Sequence, residues 1–355
     1  MTNYDAILFL SFGGPEGMAD VMPFLENVLR GKNVPQARML EVAHHYERFD
    51  GVSPINGQNR RLIEGLEQEL DKRSIKLPVY WGNRNWHPML ADTLKQMKAD
   101  GIKKALVFIT SAYSSYSGCR QYREDIEKAQ LEADAADIQF DKLRVFYNHP
   151  LFVEANIEAV KAGLDQFSLA DQKVLHVAFT AHSIPMAMAD NCDYVKQLTE
   201  TCELTAKALG INNYKLVYQS RSGPPTQPWL EPDVLDHVRA LQGTGVRHVL
   251  VHPIGFISDH MEILYDLDTE AKDLAQQLEM QFVRTSTAGT NSKFARMMAD
   301  LVEERLESNN VSDSAVPERK AIGCFGPAPD LCAPGCCSYT PARPAHAGGQ
   351  RPQGT

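Results

Sequence analysis

The chain has 355 residues, 43% hydrophobic and 23% charged, with a formal net charge of −9. That length suits two domains with sizeable cores, and an acidic balance leaves no basic surplus to neutralise the phosphates of a nucleic acid. No apolar stretch is long enough to cross a bilayer or to act as a secretory leader. A cytoplasmic location is therefore expected, where the seven cysteines read as free thiols or metal ligands rather than disulfides.

AILFLSFGGPEG, Ala6 to Gly17, predicts a first strand and a tight turn at Gly13-Gly14-Pro15. Helices are expected over Ala19–Leu29 and Pro35–Tyr46. Ser53 then caps a third helix that has Pro54 in its first position and runs to about Lys72. Strand LPVYWGN, helix Met89–Asp100, strand KALVFIT, a polar loop, a helix from Cys119 and strand FDKLRVFYNH complete the first half. The second half repeats the alternation. Helix Pro150–Phe167 leads to strand KVLHVAFT and His182, helix Tyr194–Leu209, strand YKLVYQS, the Pro/Gly-rich loop SRSGPPTQPWLEP and helix Asp233–Leu241. Strand MQFVRTST and helix Lys293–Leu306 close it.

Strand and helix in alternation predict parallel sheets with right-handed crossovers. The fold class is therefore α/β, with two similar Rossmann-like domains over 1–150 and 151–307 and a ligand cleft between them. From 308 to 355 the chain is dense in Pro, Gly and Cys, without periodic apolar positions. It is expected to bury little and to end in disorder.

Two strand ends carry candidate chemistry. HVLVHPI, His248 to Ile254, reads as a buried strand that breaks at Gly255 and the polar Ser258-Asp259. In the helix that follows, Glu262, Asp266 and Glu270 recur every four residues on one face, with Ile263, Leu267, Ala271 and Leu274 on another. Such a stripe is either a solvated face or a relay. VLHVAFTAHSIP has the same form and delivers His182, either a hydrogen-bonded structural histidine or a base and metal ligand. His252, inside its strand, reads as structural. One imidazole and one carboxylate facing each other across a cleft suit a first-row divalent ion held transiently, because a closed site takes about four ligands.

FTAHSIP paired with HPIGFISDHMEILYDLD resembles the ferrochelatases, which insert ferrous iron into a porphyrin. The likeness continues through SFGGPEG, HHYERFDGVSPINGQNRRL, VYWGNRNWHP, SAYSSYSGCRQY and YQSRSGPPTQPWLEPD, over roughly residues 5 to 305. The loops GVSPINGQ and GNRNWHP are most similar to the actinobacterial, coproporphyrin III-using branch. The resemblance implies a chelatase-like fold and no redox cofactor or nucleotide for the insertion itself. It makes His182 the metal ligand and proton acceptor, and Glu262 the second ligand and proton carrier. Asp266 and Glu270 become a possible relay for metal or protons. It places Ser53 and Tyr122 against the ring or its propionates, with Arg30 and Tyr46 nearby. Many members of the branch have a tyrosine in the first turn that approaches the product iron. Phe12 stands there in this chain and has no ligating atom, so the likeness extends to ring packing and not to coordination.

Some ferrochelatases also carry a 2Fe–2S cluster on three C-terminal cysteines and one from the body. By that resemblance Cys119 in YSGCRQY is the body ligand. Cys332, Cys336 and Cys337 are favoured over Cys324 for the remainder, and zinc binding is the alternative. Cys192 and Cys202 read as ordinary buried thiols. A protoporphyrin IX enzyme and a non-catalytic tetrapyrrole or iron carrier are the competing functions.

Overall fold

In the computed structural model, which describes residues 4–31, 34–223, 226–308 and 319–340, the apolar runs form two four-stranded sheets. The first contains β1 (Ala6–Ser11), β2 (Val79–Asn83), β3 (Lys104–Ile109) and β4 (Gln139–Lys142) in the order β2-β1-β3-β4. The second contains β5 (His176–His182), β6 (Tyr214–Gln219), β7 (His248–His252) and β8 (Gln281–Arg284) in the order β6-β5-β7-β8. Every pairing is parallel. Ile7 lies between Val79 and Leu106, and Phe179 between Leu216 and His252. All of β1 is buried, as an apolar run covered on both faces must be.

The helices are α1 (Met18–Val28), α2 (Gln36–Glu47), α3 (Ile55–Lys72), α4 (Leu90–Ala99), α5 (Gln121–Glu132), α6 (Pro150–Leu164), α7 (Met186–Ala189), α8 (Tyr194–Ala208), α9 (Val234–Gly243), α10 (Met261–Tyr265), α11 (Lys272–Gln277) and α12 (Ser292–Ser308). One face of the first sheet is covered by Leu94, Met97 and Ile126, and one face of the second by Val238, Ile263 and Leu267. Their other faces share a single core. Phe9 stacks on Phe108 at 5.6 Å, Phe108 on Phe146 at 5.4 Å, and Phe146 meets Phe152 of α6 and Phe294 of α12 edge-on. The same cluster continues to Phe179 and Leu250. Because α12 packs on both α3 and α6, the last helix ties the two sheets together.

Four expectations are corrected. Ser53 does not cap α3. The cap position is Pro54, already helical, while Ser53 is buried with its N–H donated to the Pro15 carbonyl. The strand closing the first half is only four residues long. Beyond it Leu143, Val145, Phe146 and Tyr147 turn into the shared core instead of extending an edge. The acidic helix is not regular, since a π turn over Asp266–Ala271 separates α10 from α11. Finally, the cysteine-rich segment is seated, although it has no apolar periodicity. Its backbone bonds to the body at Ile322 N–H→Asn148 O (2.9 Å), and the Asn148 amide donates to Gly326 O (2.7 Å). Arg144, which also pairs with buried Glu304, donates to Lys320 O. Main-chain hydrogen bonds and ion pairs hold it. Disorder is expected from Ser338 onward, yet Tyr339 packs against Tyr116 at 5.7 Å, and the rest of that stretch, 341–355, lies outside the described residues.

Candidate active site

His182 is the last residue of β5, and the main chain around it is fixed. The Tyr194 hydroxyl donates to the His182 carbonyl (3.1 Å), and Ser183 N–H donates to Gln219 O (2.8 Å). The ring's Nδ1 contacts the Ser183 carbonyl, which can only accept, so Nδ1 carries the proton. That leaves Nε2 with its lone pair, 3.7 Å from Glu262 Oε2. The imidazole is one third exposed and the carboxylate half exposed, so both open to the same solvent-filled space.

Glu262 is brought there by the turn after β7. Gly255 passes so close to Ala181 that a Cβ on it would stand 2.5 Å from the alanine's own, and its N–H donates to Thr180 O (3.0 Å). Only glycine allows the two strand ends to approach this closely. His260 then starts the helix, its Nδ1 accepting from Glu262 N–H (3.2 Å) and its ring packed edge-on against Phe256. Burial pushes the His260 imidazole below its ordinary range, and its Nδ1 lies 3.9 Å from Glu262 Oε2.

Behind this pair stands a ring of polar contacts. Asp259 is bridged by Arg284 (3.1 Å), which also pairs with Asp268, and by Gln58 of α3. The Gln58 contact ties the first half to the loop that carries His260. Asp266 accepts from Ser220 Oγ and from the Gln219 amide (3.2 Å). Burial, reinforced by the charges of Glu262 and Glu270, pushes its carboxyl up to about 7. Exposed Glu270 is raised in the same direction, by burial and then by Asp233. Asp266 is thus close enough to feel the charges of Glu262 and Glu270.

The first half supplies an aromatic wall. Phe24 touches Phe12 (6.4 Å), Tyr46 (6.2 Å) and Trp86 (6.1 Å), and this cluster reaches Met261, next to Glu262. Phe12 is 38% exposed and presents its ring. Burial, with the charge of Glu262, keeps the Tyr46 phenol protonated. Tyr265 and His45 stack face to face at 3.5 Å, joining α10 to α2. Ser53 is buried against Gly14, and Tyr122 lies in the core beneath Arg84. Arg30 is exposed, two residues beyond α1. Sequence reasoning missed Arg84, whose guanidinium spans Phe12 (5.8 Å) and Tyr122 (4.9 Å) and pairs with Asp125. It also missed His260, although the SDHME string held that signal. His252 bonds Thr285 and Asn156 (2.8 Å) in full burial.

All seven cysteines are free. Cys119 sits in a π turn, Tyr116–Arg120, ahead of α5. Its thiol is near enough to that of Cys332 to perturb it, Cys336 acts on Cys332 in turn, and the Cys336 sulfur is 3.6 Å from that of Cys337. The nearness of the two thiols holds Cys332 below the usual thiol range and Cys119 above it. Cys324 is exposed and separate, its N–H donated to Glu200. Cys202 is in the core and the Cys192 thiol donates to Met188 O (3.2 Å). Among the described residues no three His, Cys, Asp or Glu side chains are arranged to hold a metal ion. No helix there is long and apolar enough to cross a membrane.

A family model described as Ferrochelatase matches residues 4–306. The chain is 53% identical over 348 residues to a protein named Ferrochelatase from Rhodopirellula baltica, covering 98% of this chain and 97% of that one. It is 49% identical over 352 residues to a protein named Coproporphyrin III ferrochelatase from Nocardia farcinica, covering 97% and 99%. Among solved structures it is similar to SirB from Bacillus subtilis with Fe3+, with a TM-score of 0.52, 12% identity, and coverage of 86% and 96%. That last likeness concerns the fold alone.

Proposed function

The chain belongs to the ferrochelatase family, and we propose that it inserts ferrous iron into coproporphyrin III to give the iron coproporphyrin of a haem-forming pathway. One observation carries the reading: a histidine with its Nε2 lone pair free, 3.7 Å from a carboxylate, on an edge faced by an aromatic wall. Metallation must strip two pyrrole protons and present the ring nitrogens to the ion. His182 Nε2 is the base, since its other nitrogen is committed to the Ser183 carbonyl. Glu262 is the second donor toward the incoming iron and takes the proton on. Asp266, held near neutral pKa, exchanges it with Glu270 and solvent. Phe12 offers a ring face, and Tyr46 and Trp86 stiffen the wall that holds the macrocycle bent toward the transition state.

The substrate assignment is supported by the Nocardia relative's name, and exposed Arg30 is assigned to a propionate. Ser53 and Tyr122, expected to touch the ring or its propionates, are both buried, which leaves little of either side chain for a ligand. We further assign a 2Fe–2S cluster to Cys119, Cys332, Cys336 and Cys337, four thiols gathered where the C-terminal segment meets the turn before α5, with Cys336 and Cys337 in contact. Such a cluster takes four cysteines, two for each iron, so a three-ligand single-ion site is not what it needs. When bound it would supply a covalent staple between the C-terminal segment and the turn before α5, and a one-electron centre. Reduced thiols fit a cytoplasmic location. The division at about residue 150 puts the substrate cleft between two α/β halves, with the tail as a third unit.

Anaerobic Fe2+ insertion followed by absorbance, with coproporphyrin III and protoporphyrin IX side by side, tests the reading. Turnover of coproporphyrin III is expected. Preference for protoporphyrin IX moves the enzyme to the other branch, and binding of both rings without metallation makes it a carrier.

A further inference from the structure

Among the cations around the four thiols, two stand out. Lys142, at the end of β4, is half-buried and its ammonium donates only to a main-chain carbonyl, that of Leu143 (3.0 Å). Arg123, in the first turn of α5, is also half-buried. Among the described residues neither has a carboxylate within 4 Å, while their neighbours do: Lys103 pairs with Asp137, Lys104 with Asp141 and Arg120 with Glu124. In a chain with 45 acidic and 36 basic side chains, a half-buried cation left without a carboxylate calls for another anion. The thiols are where these charges point. Lys142 lines a small cavity together with Gly118 and Cys119, its charge acts on both Cys119 and Cys332, and that of Arg123 acts on Cys332. Arg120 donates to the Cys336 carbonyl (3.3 Å), which fixes the C-terminal segment against the same helix.

We propose that Lys142, aided by Arg123, is the counter-charge of the 2Fe–2S cluster, offsetting its negative charge in a half-buried site and raising its reduction potential. The inference rests on the cluster assignment above. Two ferric ions, two sulfides and four thiolates sum to a dianion, and one-electron reduction turns one iron ferrous and makes a trianion with no bond broken. Burial penalises both, the trianion more, so a nearby fixed cation stabilises the reduced form the more strongly. Lys142 and Arg123 are therefore positioning and tuning residues that bind no iron.

The test uses the full chain purified anaerobically, with iron and acid-labile sulfide counted per chain and the midpoint read by spin resonance during dithionite titration. Lys142→Met keeps the aliphatic stem and removes the charge. We expect its reduction equilibrium to fall about tenfold, a midpoint about 59 mV more negative for one electron. Lys142→Arg should restore the wild-type value, and Arg123→Met should shift it less. An unchanged midpoint in Lys142→Met overturns the inference while leaving the cluster in place. If Lys142→Met loses the cluster, retention in Lys142→Arg supports the charge role, and loss in both overturns it in favour of packing. A wild type without iron and sulfide removes the cluster reading, and this inference with it.

Discussion

The two sheets have the same strand order, yet their carboxyl edges are built from different chemistry. At the first edge, β1 runs into Gly13, whose positive φ and closeness to Asn83 exclude a side chain. Asn56 there donates to Gly14 O, Asn83 to His87 O, and Asn59 to Ser11. Every group in that network is a neutral amide, hydroxyl or carbonyl. At the second edge, β5 and β7 deliver His182, His260, Glu262 and Asp266, all titratable and none with a fixed counter-charge closer than the others. One scaffold thus serves twice, with a network of neutral amides and hydroxyls at one edge and a cluster of titratable groups at the other. Of the buried histidines, His176, His237 and His252 lie in the second half and His149 at the junction.

The comparison can be broken in several ways. Glu262→Gln keeps the shape of the second edge and removes its charge. We expect metallation to fall by about a hundredfold or more with little change in melting temperature, read by anaerobic Fe2+ insertion and calorimetry. Acid should attack the second half first. Burial holds His237 at about 4 and His252 at about 3, and His149 at the junction is also held at about 4. These histidines are neutral when folded and gain a proton more readily when unfolded. Their stability contribution is therefore complete above pH 6.5 and declines as pH falls from 6.5 toward 4, and toward 3 for His252, by at most about 3 kcal/mol each at pH 4. Urea midpoints measured across that window should fall, and amide exchange should rise first in β5–β8. Asn83→Ala strips the neutral frame of a buried amide that bridges Trp81, Asn56 and His87. It should cost about 1–3 kcal/mol of stability and leave the pH profile of turnover unchanged, and a shifted profile would show that the frame handles protons after all. Asp266→Asn should slow turnover about tenfold, near 1.4 kcal/mol, with porphyrin affinity unaltered in a fluorescence titration.

Much of this was legible in the chain because it is periodic or local. Buried parallel strands are continuous apolar runs, and the residue that ends a run, His182, or begins the next helix, Glu262, lands at the sheet edge without further information. The face of Ile263, Leu267 and Ala271 is buried as its spacing predicts, although the π turn within it left no sequence sign. What escaped reading consists of single polar atoms meeting across long separations. Gln58 reaches Asp259 over 201 residues, Arg144 reaches Glu304 over 160, and Arg84 finds Asp125 between two aromatic rings. None of these imposes a period on its neighbours. The seat of the C-terminal segment was invisible for the same reason, because backbone hydrogen bonds hold it and any residue supplies those.

The central claim is that proton removal belongs to the second edge, at His182. The direct measurement is porphyrin binding and anaerobic metallation in parallel for wild type and His182→Ala. The account predicts that the variant binds coproporphyrin III within a few-fold of wild type and metallates it at least about a hundredfold more slowly. Metallation at the wild-type rate, with the ring bound as tightly, would contradict it.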